Sequence, residues 1–284
     1  MLYLSTLQNK GERLPLRCPV CGGELSLADQ KSLVCDGARR HCFDLSSKGH
    51  VNLAVGHTGG GDPKEAVRAR SEFLRRGYYS KFADAVCEAL SQYLPSGADT
   101  VIDAGCGEGY YTERIAEKCS VSAVGFDLSK AAVESAAARA KREGRDDLFY
   151  AVGGIFSMPV KDECADGVVN LFAPCAEDEF IRVLKKDGVL LVAGAGEDHL
   201  FGLKKRVYDT PYKNEKRSDQ PVKLKHLRHI SVKYDLEIEN EEDKQALFSM
   251  TPYYYRTSKE NAARLLGAPL VTEVEFDIDV YVKE

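Results

Sequence analysis

Val101-Ile102-Asp103-Ala104-Gly105-Cys106-Gly107-Glu108-Gly109-Tyr110-Tyr111 is the stretch that decides the fold. A segment of strand character runs into a loop with glycines at alternate positions, and helical periodicity follows. Such glycines permit a tight turn and close approach of a ligand to the backbone, while the helix start supplies free N–H groups. A dinucleotide-binding fingerprint beginning at Gly105 requires its third glycine at position 110, where Tyr110 stands. The loop is therefore of another kind. Outward from it, strand signals recur at 100–104, 121–126, 148–152, 167–172 and 188–193, separated by helical segments at 111–118, 129–142 and 176–184. This alternation predicts an α/β fold with a mostly parallel sheet covered on both faces. Near the end, Val274, Phe276, Ile278, Val280 and Val282 alternate with Glu275, Asp277, Asp279 and Tyr281. A last strand with one wet face follows, near an edge or in an antiparallel pair.

Upstream, 65–74 reads as a charged helix. A second helix carries Phe82, Val86, Leu90, Tyr93 and Leu94 on one face and ends at Pro95 and Gly97. Further upstream, Cys18-Pro19-Val20-Cys21 is a Cys-x-x-Cys knuckle, followed by Cys35 and by His41-Cys42. Two thiolates two residues apart, with a second pair about fourteen residues on, suit a tetrahedral structural zinc site. Its fourth ligand is His41 or Cys42, of which His41 is favoured. A redox pair is the weaker reading, because no thioredoxin-like strand and helix surround the knuckle. The other cysteines, Cys87, Cys106, Cys119, Cys164 and Cys175, are scattered and read as reduced, mostly buried thiols. The chain thus divides into a zinc-binding module (1–50), a linker and helix (51–80) with a flexible glycine link at 57–63, and a cofactor-binding domain (81–284).

At 284 residues the chain accommodates one full α/β domain and a small appendage. Its formal net charge of −5 argues against nonspecific coating of nucleic acid. Two basic segments nevertheless stand out. One holds Lys64, Arg68, Arg70, Arg75, Arg76 and Lys81; the other, between 202 and 233, includes Lys204, Lys205, Arg206, Lys213, Lys216 and Arg217. A solvated face explains a single such run. Two runs in an acidic chain favour a phosphate-bearing partner, with Lys204, Lys205, Arg206, Arg75 and Arg76 as phosphate contacts. No apolar run is long enough to span a bilayer and no leader pattern opens the chain, so no membrane partner and a cytoplasmic location are expected.

The pattern Asp-x-Gly-x-Gly-x-Gly resembles the loop of class I Rossmann-like methyltransferases and so implies S-adenosylmethionine. In that setting Asp103 pairs with the cationic amino group of the methionine half, across the loop formed by Gly105, Cys106, Gly107 and Gly109. Asp127, about twenty residues on, accepts the ribose hydroxyls. Gly153, with Gly154 and Ile155, lines the adenine pocket. Asn170-Leu171-Phe172-Ala173-Pro174 ends the strand toward which the methyl group points.

With these residues in hand, the chain resembles nearly end to end the zinc-containing 23S ribosomal RNA guanine-N1-methyltransferase family, whose members include tylosin-resistance enzymes. The likeness runs through Leu16-Arg17-Cys18-Pro19-Val20-Cys21, Arg40-His41-Cys42-Phe43-Asp44, Gly49-His50-Val51-Asn52-Leu53, Gly77-Tyr78-Tyr79, the glycine loop, Phe172-Ala173-Pro174-Cys175, His199-Leu200 and Met250-Thr251-Pro252. The resemblance implies a zinc-ribbon-like module with Cys18, Cys21, Cys35 and His41 as ligands. It also implies cofactor contacts from Tyr79, Cys106, Gly107 and His199, 23S ribosomal RNA as substrate, and antibiotic resistance as a biological outcome. Two departures are visible. The Cys35 to His41 interval exceeds the family's usual gap, and Tyr255 stands where a tryptophan is usual. Guanine N1 carries a proton that must be removed as the methyl arrives; no residue announces itself, and Glu177, Asp178 and Asp209 are the candidates. Phe172 and Tyr253 are candidates for stacking on a splayed-out base. A second copy of the chain is a further candidate partner. Two competing classes are a small-molecule or quinone methyltransferase, which needs neither zinc nor basic segments, and a non-catalytic RNA-binding protein, which would not need an intact glycine loop.

Overall fold

In the computed structural model, which describes Leu4 and residues 15–56, 61–215 and 217–284, Cys35 and Cys42 lie on a three-stranded antiparallel sheet, and Cys18 and Cys21 on the stretch that leads into it. Its strands are β1 (Leu25–Ala28), β2 (Ser32–Cys35) and β3 (Cys42–Asp44). Residues 57–60 of the expected glycine link, and Lys216 of the second basic segment, lie outside the described residues. The chain then enters the large sheet with β4 (Val51–Asn52) and passes through helices α1 (Lys64–Arg75) and α2 (Ser80–Tyr93).

Strands and helices then alternate, except that β8 follows β7 with no helix between: β5 (Thr100–Ala104), α3 (Tyr110–Cys119), β6 (Ser122–Asp127), α4 (Lys130–Arg142), β7 (Leu148–Val152), β8 (Ala165–Leu171), α5 (Glu177–Val183) and β9 (Leu184–Ala195). β5, β7 and β8 are buried along their whole length, as strands with both faces covered must be. Helix α4 begins where Ser129 accepts a hydrogen bond from the Ala132 amide, the capping role that leaves Asp127 free for another. The chain ends with α6 (Phe201–Val207), β10 (Lys225–Ile238), α7 (Glu241–Ser249), α8 (Lys259–Ala263) and β11 (Leu270–Val282). The eight-stranded order is β10-β11-β9-β8-β5-β6-β7-β4. Strands from β4 to β9 pair in parallel, and β11 is antiparallel to both β9 and β10.

One apolar core packs α2, through Phe82, Val86 and Leu90, against Leu191 and Phe276. A second joins Phe180 of α5 and Met158 to Leu25 and Leu33 of the small sheet. The zinc module thus shares its interior with the large sheet. Arg17 and Lys161 tighten that seam, their amides donating to the carbonyls of Pro159 and Pro15.

The carboxy-terminal strand departs from expectation. β11 is antiparallel to its neighbours as foreseen, but it is an interior strand, because β10 covers it. Its alternating acids do not face open water. Glu275 and Asp279 are buried; Lys233 pairs with Glu275 at 2.7 Å, and His226 and His229 both reach Asp279 Oδ1, at 2.9 and 3.0 Å. The end of the second basic segment, from Lys225, is therefore strand, with Ile230 and Val232, and Tyr234 just beyond, packed on the core. No helix among the described residues is long and apolar enough to cross a membrane.

Candidate cofactor cleft and metal cluster

The glycine loop joins β5 to α3 with Gly105, Gly107 and Gly109 all at positive φ, at 98°, 54° and 83°. A side chain is excluded twice over at Gly105 and Gly109, since a Cβ there would stand 2.7 Å from Ala173 Cβ and from the Tyr150 hydroxyl. Two amides, of Gly105 and Cys106, donate to the Phe126 carbonyl at 2.8 and 3.0 Å. Asp127 then ties the loop to β6: its Oδ2 accepts from the Gly107 amide at 3.0 Å and its Oδ1 from the Ser129 amide at 2.7 Å. Burial raises this carboxyl, and those two amides work against the rise. Each carboxylate oxygen keeps a further lone pair for a ligand. Beside it opens a cleft of ≈330 Å³ lined by Gly105, Asp127, Gly153, Ile155, Ala173 and Pro19. The last belongs to the cysteine knuckle, so the module forms part of the cleft wall.

Beneath the loop, Asp103 is buried with Thr112 donating to its Oδ2 at 2.5 Å, while Oδ1 has no partner among the described residues. Burial pushes this carboxyl up to about 7. A half-satisfied buried acid is a costly arrangement that a cationic ligand group would complete, so these residues fit the ammonium of S-adenosylmethionine. Asn170 is fully buried and bridges the ends of two strands, donating to the carbonyls of Ala104 and Pro174, both at 3.1 Å. Cys106 is buried, with its side chain against Gly125.

Tyr79 and His199 do not line the cleft; they meet in the α2 core, with ring centroids 6.0 Å apart. The Tyr79 hydroxyl is buried without a partner among the described residues. His199 Nδ1 accepts from the Glu275 amide at 3.3 Å, and burial holds its imidazole down to about 3. The ring is neutral, and Nε2 carries the proton as a fixed donor. Sequence spacing gives a lone histidine no such role; its signal comes only from the tertiary partner.

Several expectations change here. Glu177 accepts from the Val222 and Lys223 amides, Asp178 pairs with Lys223 and Asp209 with Arg264, so none of the three candidate bases lines the cleft. Phe172 is 48 % exposed at the end of β8, with a left-handed φ of 57°, whereas Tyr253 is buried against Tyr208 and is closed to a base. The basic segments are largely spent. Lys204 is fully buried, its ammonium donating to Tyr212 O at 3.0 Å and Asn214 Oδ1 at 2.6 Å. It lies against the rings of Tyr212 and Tyr253, 4.5 and 5.0 Å from their centroids, while Lys205 is exposed. Arg75 pairs with Glu113, Arg76 with Glu242 and Asp243, Arg70 with Asp62 and Arg68 with Glu72.

At the amino terminus, one ligand atom from each of Cys18, Cys21, Cys35 and His41 comes within 4.8 Å of all the others. Cys21 Sγ is 3.8 Å from Cys35 Sγ, and His41 Nδ1 is 3.5 and 3.4 Å from Cys18 and Cys35 Sγ. A tetrahedral ion with Zn–S near 2.3 Å requires sulfur pairs about 3.8 Å apart, so the cluster fits zinc. Gly37 makes the closeness feasible: a Cβ there would stand 2.9 Å from Cys21 Sγ. Cys42 is exposed and outside the cluster, its Sγ 4.0 Å from Asp44. The long Cys35 to His41 interval is absorbed by a loop that closes with the Cys35 amide on the His41 carbonyl, at 3.0 Å.

Comparison with known proteins agrees with both halves. A methyltransferase domain family matches residues 95–247, and the RlmA amino-terminal zinc-ribbon family matches 16–55. A Bacillus subtilis protein, YxjB, provisionally named a 23S rRNA (guanine-N(1)-)-methyltransferase, is 31% identical over 282 residues, covering 94% of this chain and 95% of its own. The 23S rRNA (guanine(748)-N(1))-methyltransferase of Streptomyces fradiae is 32% identical over 192 residues, 66% of each chain. In fold alone, the solved structure of an Anaeromyxobacter dehalogenans protein provisionally described as a Type II methyltransferase is similar, at TM-score 0.51 and 16% identity, covering 70% of this chain and 95% of that one. With a methyltransferase domain and an RlmA zinc ribbon in one chain, and a relative matching from end to end, the protein belongs to the 23S rRNA guanine-N1-methyltransferase family.

Proposed function

We propose that the protein transfers a methyl group from S-adenosylmethionine to N1 of a guanine in 23S ribosomal RNA. The end-to-end match to YxjB, across module and domain together, carries this reading. Asp103 Oδ1 would hold the cofactor's ammonium, Asp127 its ribose hydroxyls, and Gly105, Cys106, Gly107 and Gly109 its backbone-facing edge. Gly153 would border the adenine, Asn170 would shape the methyl-facing turn, and Tyr79 and His199 would donate from the α2 side. Cys18, Cys21, Cys35 and His41 would hold one zinc ion. Bound S-adenosylmethionine supplies an electrophilic methyl on a sulfonium, so what the chain must add is chiefly position.

Phe172, exposed at the end of β8, is placed to stack on an extruded guanine. The N1 proton leaves to water or to an RNA group, since the three candidate carboxylates are engaged elsewhere. We assign the zinc module to residues 1–50, the linker and first helix to 51–80 and the methyltransferase domain to 81–284, and we place the protein in the cytoplasm with its RNA. Association as a homodimer belongs to the same proposal, and light scattering tests it. For the reaction, purified protein, cofactor and 23S transcript suffice. Reverse transcriptase should stall one nucleotide before the modified base, and mass spectrometry should find N1-methylguanine. Methyl incorporation at another atom, or in no ribosomal RNA, overturns the assignment.

A further inference from the structure

The end of β8 and the turn after it, residues 170–175, face the glycine loop, and Ala173 and Pro174 line the cleft. Pairing with β9 holds Asn170 and Leu171, and the Phe172 amide donates to the Ala193 carbonyl at 3.0 Å, but residues 173–175 have no regular structure. Phe172 sits at φ 57°, a region a bulky side chain seldom adopts unless its surroundings impose it. Its ring packs on Phe82 and Phe276, with centroids 5.4 and 5.2 Å away, and the turn beyond it is gripped from the segment between α6 and β10, whose described residues have no regular secondary structure. Arg217 Nη2 donates to Asn170 Oδ1 at 3.0 Å and to the Ala173 carbonyl at 2.6 Å, and Nη1 donates to the Ala193 carbonyl of β9 at 3.3 Å. Nε donates to Asp219 Oδ1 at 2.6 Å, and Asp219 Oδ2 accepts from the Cys175 amide at 2.8 Å. The guanidinium and its carboxylate therefore grip both ends of the turn and lock it to the neighbouring strand. A planar fork makes these contacts together; a lysine ammonium cannot.

We propose that Arg217, oriented by Asp219, is a positioning residue for methyl transfer: it sets the 170–175 turn in the shape that presents Phe172 and the Ala173–Pro174 peptide to the acceptor base. This rests on the methyltransferase reading. Arg217 reaches the cofactor cleft only through Asn170 and Ala173 and makes no hydrogen bond to Asp103, Asp127 or the glycine loop, so loss of the clamp should lower the rate of transfer far more than cofactor binding. Arg217 also borders an open polar cleft of ≈510 Å³ over β9, β11 and β10, lined in addition by His229, Ser231, Lys233 and Asp277. A small cation can enter from that side.

The test uses the full chain with zinc bound. In Arg217→Ala and Arg217→Lys, kcat on 23S transcript should fall by up to about 100-fold, the scale of a misplacement of roughly one ångström, while the cofactor Kd changes little. Added guanidinium should restore part of the activity of Arg217→Ala and none of that of Asp219→Asn. Amide hydrogen exchange should quicken at Phe172 and Cys175 and stay slow at residues 103–109. Unchanged kcat, a parallel loss of cofactor binding, or unchanged exchange at the turn each overturns the proposal. Should wild-type protein methylate no 23S RNA, the functional reading falls, and the exchange measurement still decides whether Arg217 sets the turn.

Discussion

The zinc module and the cofactor domain solve the same problem, an interior without water, by opposite means. In the domain, strands such as β5 and β8 are buried along their whole length on a largely apolar interior, and polar groups inside such as Asn170 and Asp127 are tied to backbone, while Asp103 Oδ1 has no partner among the described residues. In the module, strands of three or four residues enclose three sulfurs and an imidazole, and the apolar residues Leu25 and Leu33 complete a core owned mostly by the domain. A segment this small cannot bury enough apolar area to order itself, so metal affinity becomes folding free energy. What the contrast teaches is that the module is both metal-dependent and docked: Pro19 reaches the cofactor cleft only while the knuckle is folded.

The largest effect expected is from metal removal. Structural zinc in small modules contributes about 10–16 kcal/mol at neutral pH, so chelation, Cys18→Ser or His41→Ala should each unfold the module, with one zinc lost per chain. The cofactor domain should stay folded and bind S-adenosylmethionine more weakly for want of the Pro19 wall. Metal analysis with circular dichroism checks this; Cys42→Ser should retain its zinc, and loss from that variant would redraw the ligand set.

On the domain side, Asp127→Ala removes charge-assisted hydrogen bonds to the loop and to the ribose, and should weaken cofactor binding by about 1.5–3 kcal/mol with the fold intact. Calorimetry decides, and an unchanged affinity removes Asp127 from the site. Asp103 adds a pH dependence. Its carboxyl, raised to about 7 by burial, must be ionised to receive an ammonium. Binding therefore weakens as pH falls through about 7, by about tenfold per unit below. Asp103→Asn should abolish that slope, and a flat profile in the wild type would show that no ammonium sits there.

The smallest effects on function lie with two neighbouring cations of α6, one buried and one exposed, and ask which of them can grip RNA. Lys205→Gln should leave stability alone and flatten the dependence of log affinity on log salt by somewhat less than about one unit, if it meets a phosphate. Lys204→Gln should leave that slope intact and lower stability by about 2 kcal/mol, because its buried ammonium is held by Tyr212 and Asn214. Salt titration beside thermal melts distinguishes the pair.

The sequence by itself determined the parallel half of the sheet, the glycine loop and the spacing of the metal ligands. Each is a local pattern whose meaning travels with it: alternate glycines demand positive φ, continuous apolar runs demand two covered faces, and cysteines with two residues between them can share an ion. Family likeness added the substrate, which no local pattern contains. Only the tertiary structure decided the rest. β10 was legible in the alternation of Ile230, Val232, Tyr234, Leu236 and Ile238, but its charges masked the period. Lys204 and Lys205 are adjacent and chemically alike, and nothing in their order tells that α6 turns one inward and the other out. His41 and Cys42 likewise stand side by side, and backbone direction alone brings the first to the cluster. Arg217 reads as one cation in a basic run until its partners, Asn170, Ala173 and Ala193, arrive from two strands that precede it in the chain. Charge is a property of a residue, whereas whether that charge faces water or spans two strands is a property of its neighbours, and those are fixed only when the chain has closed.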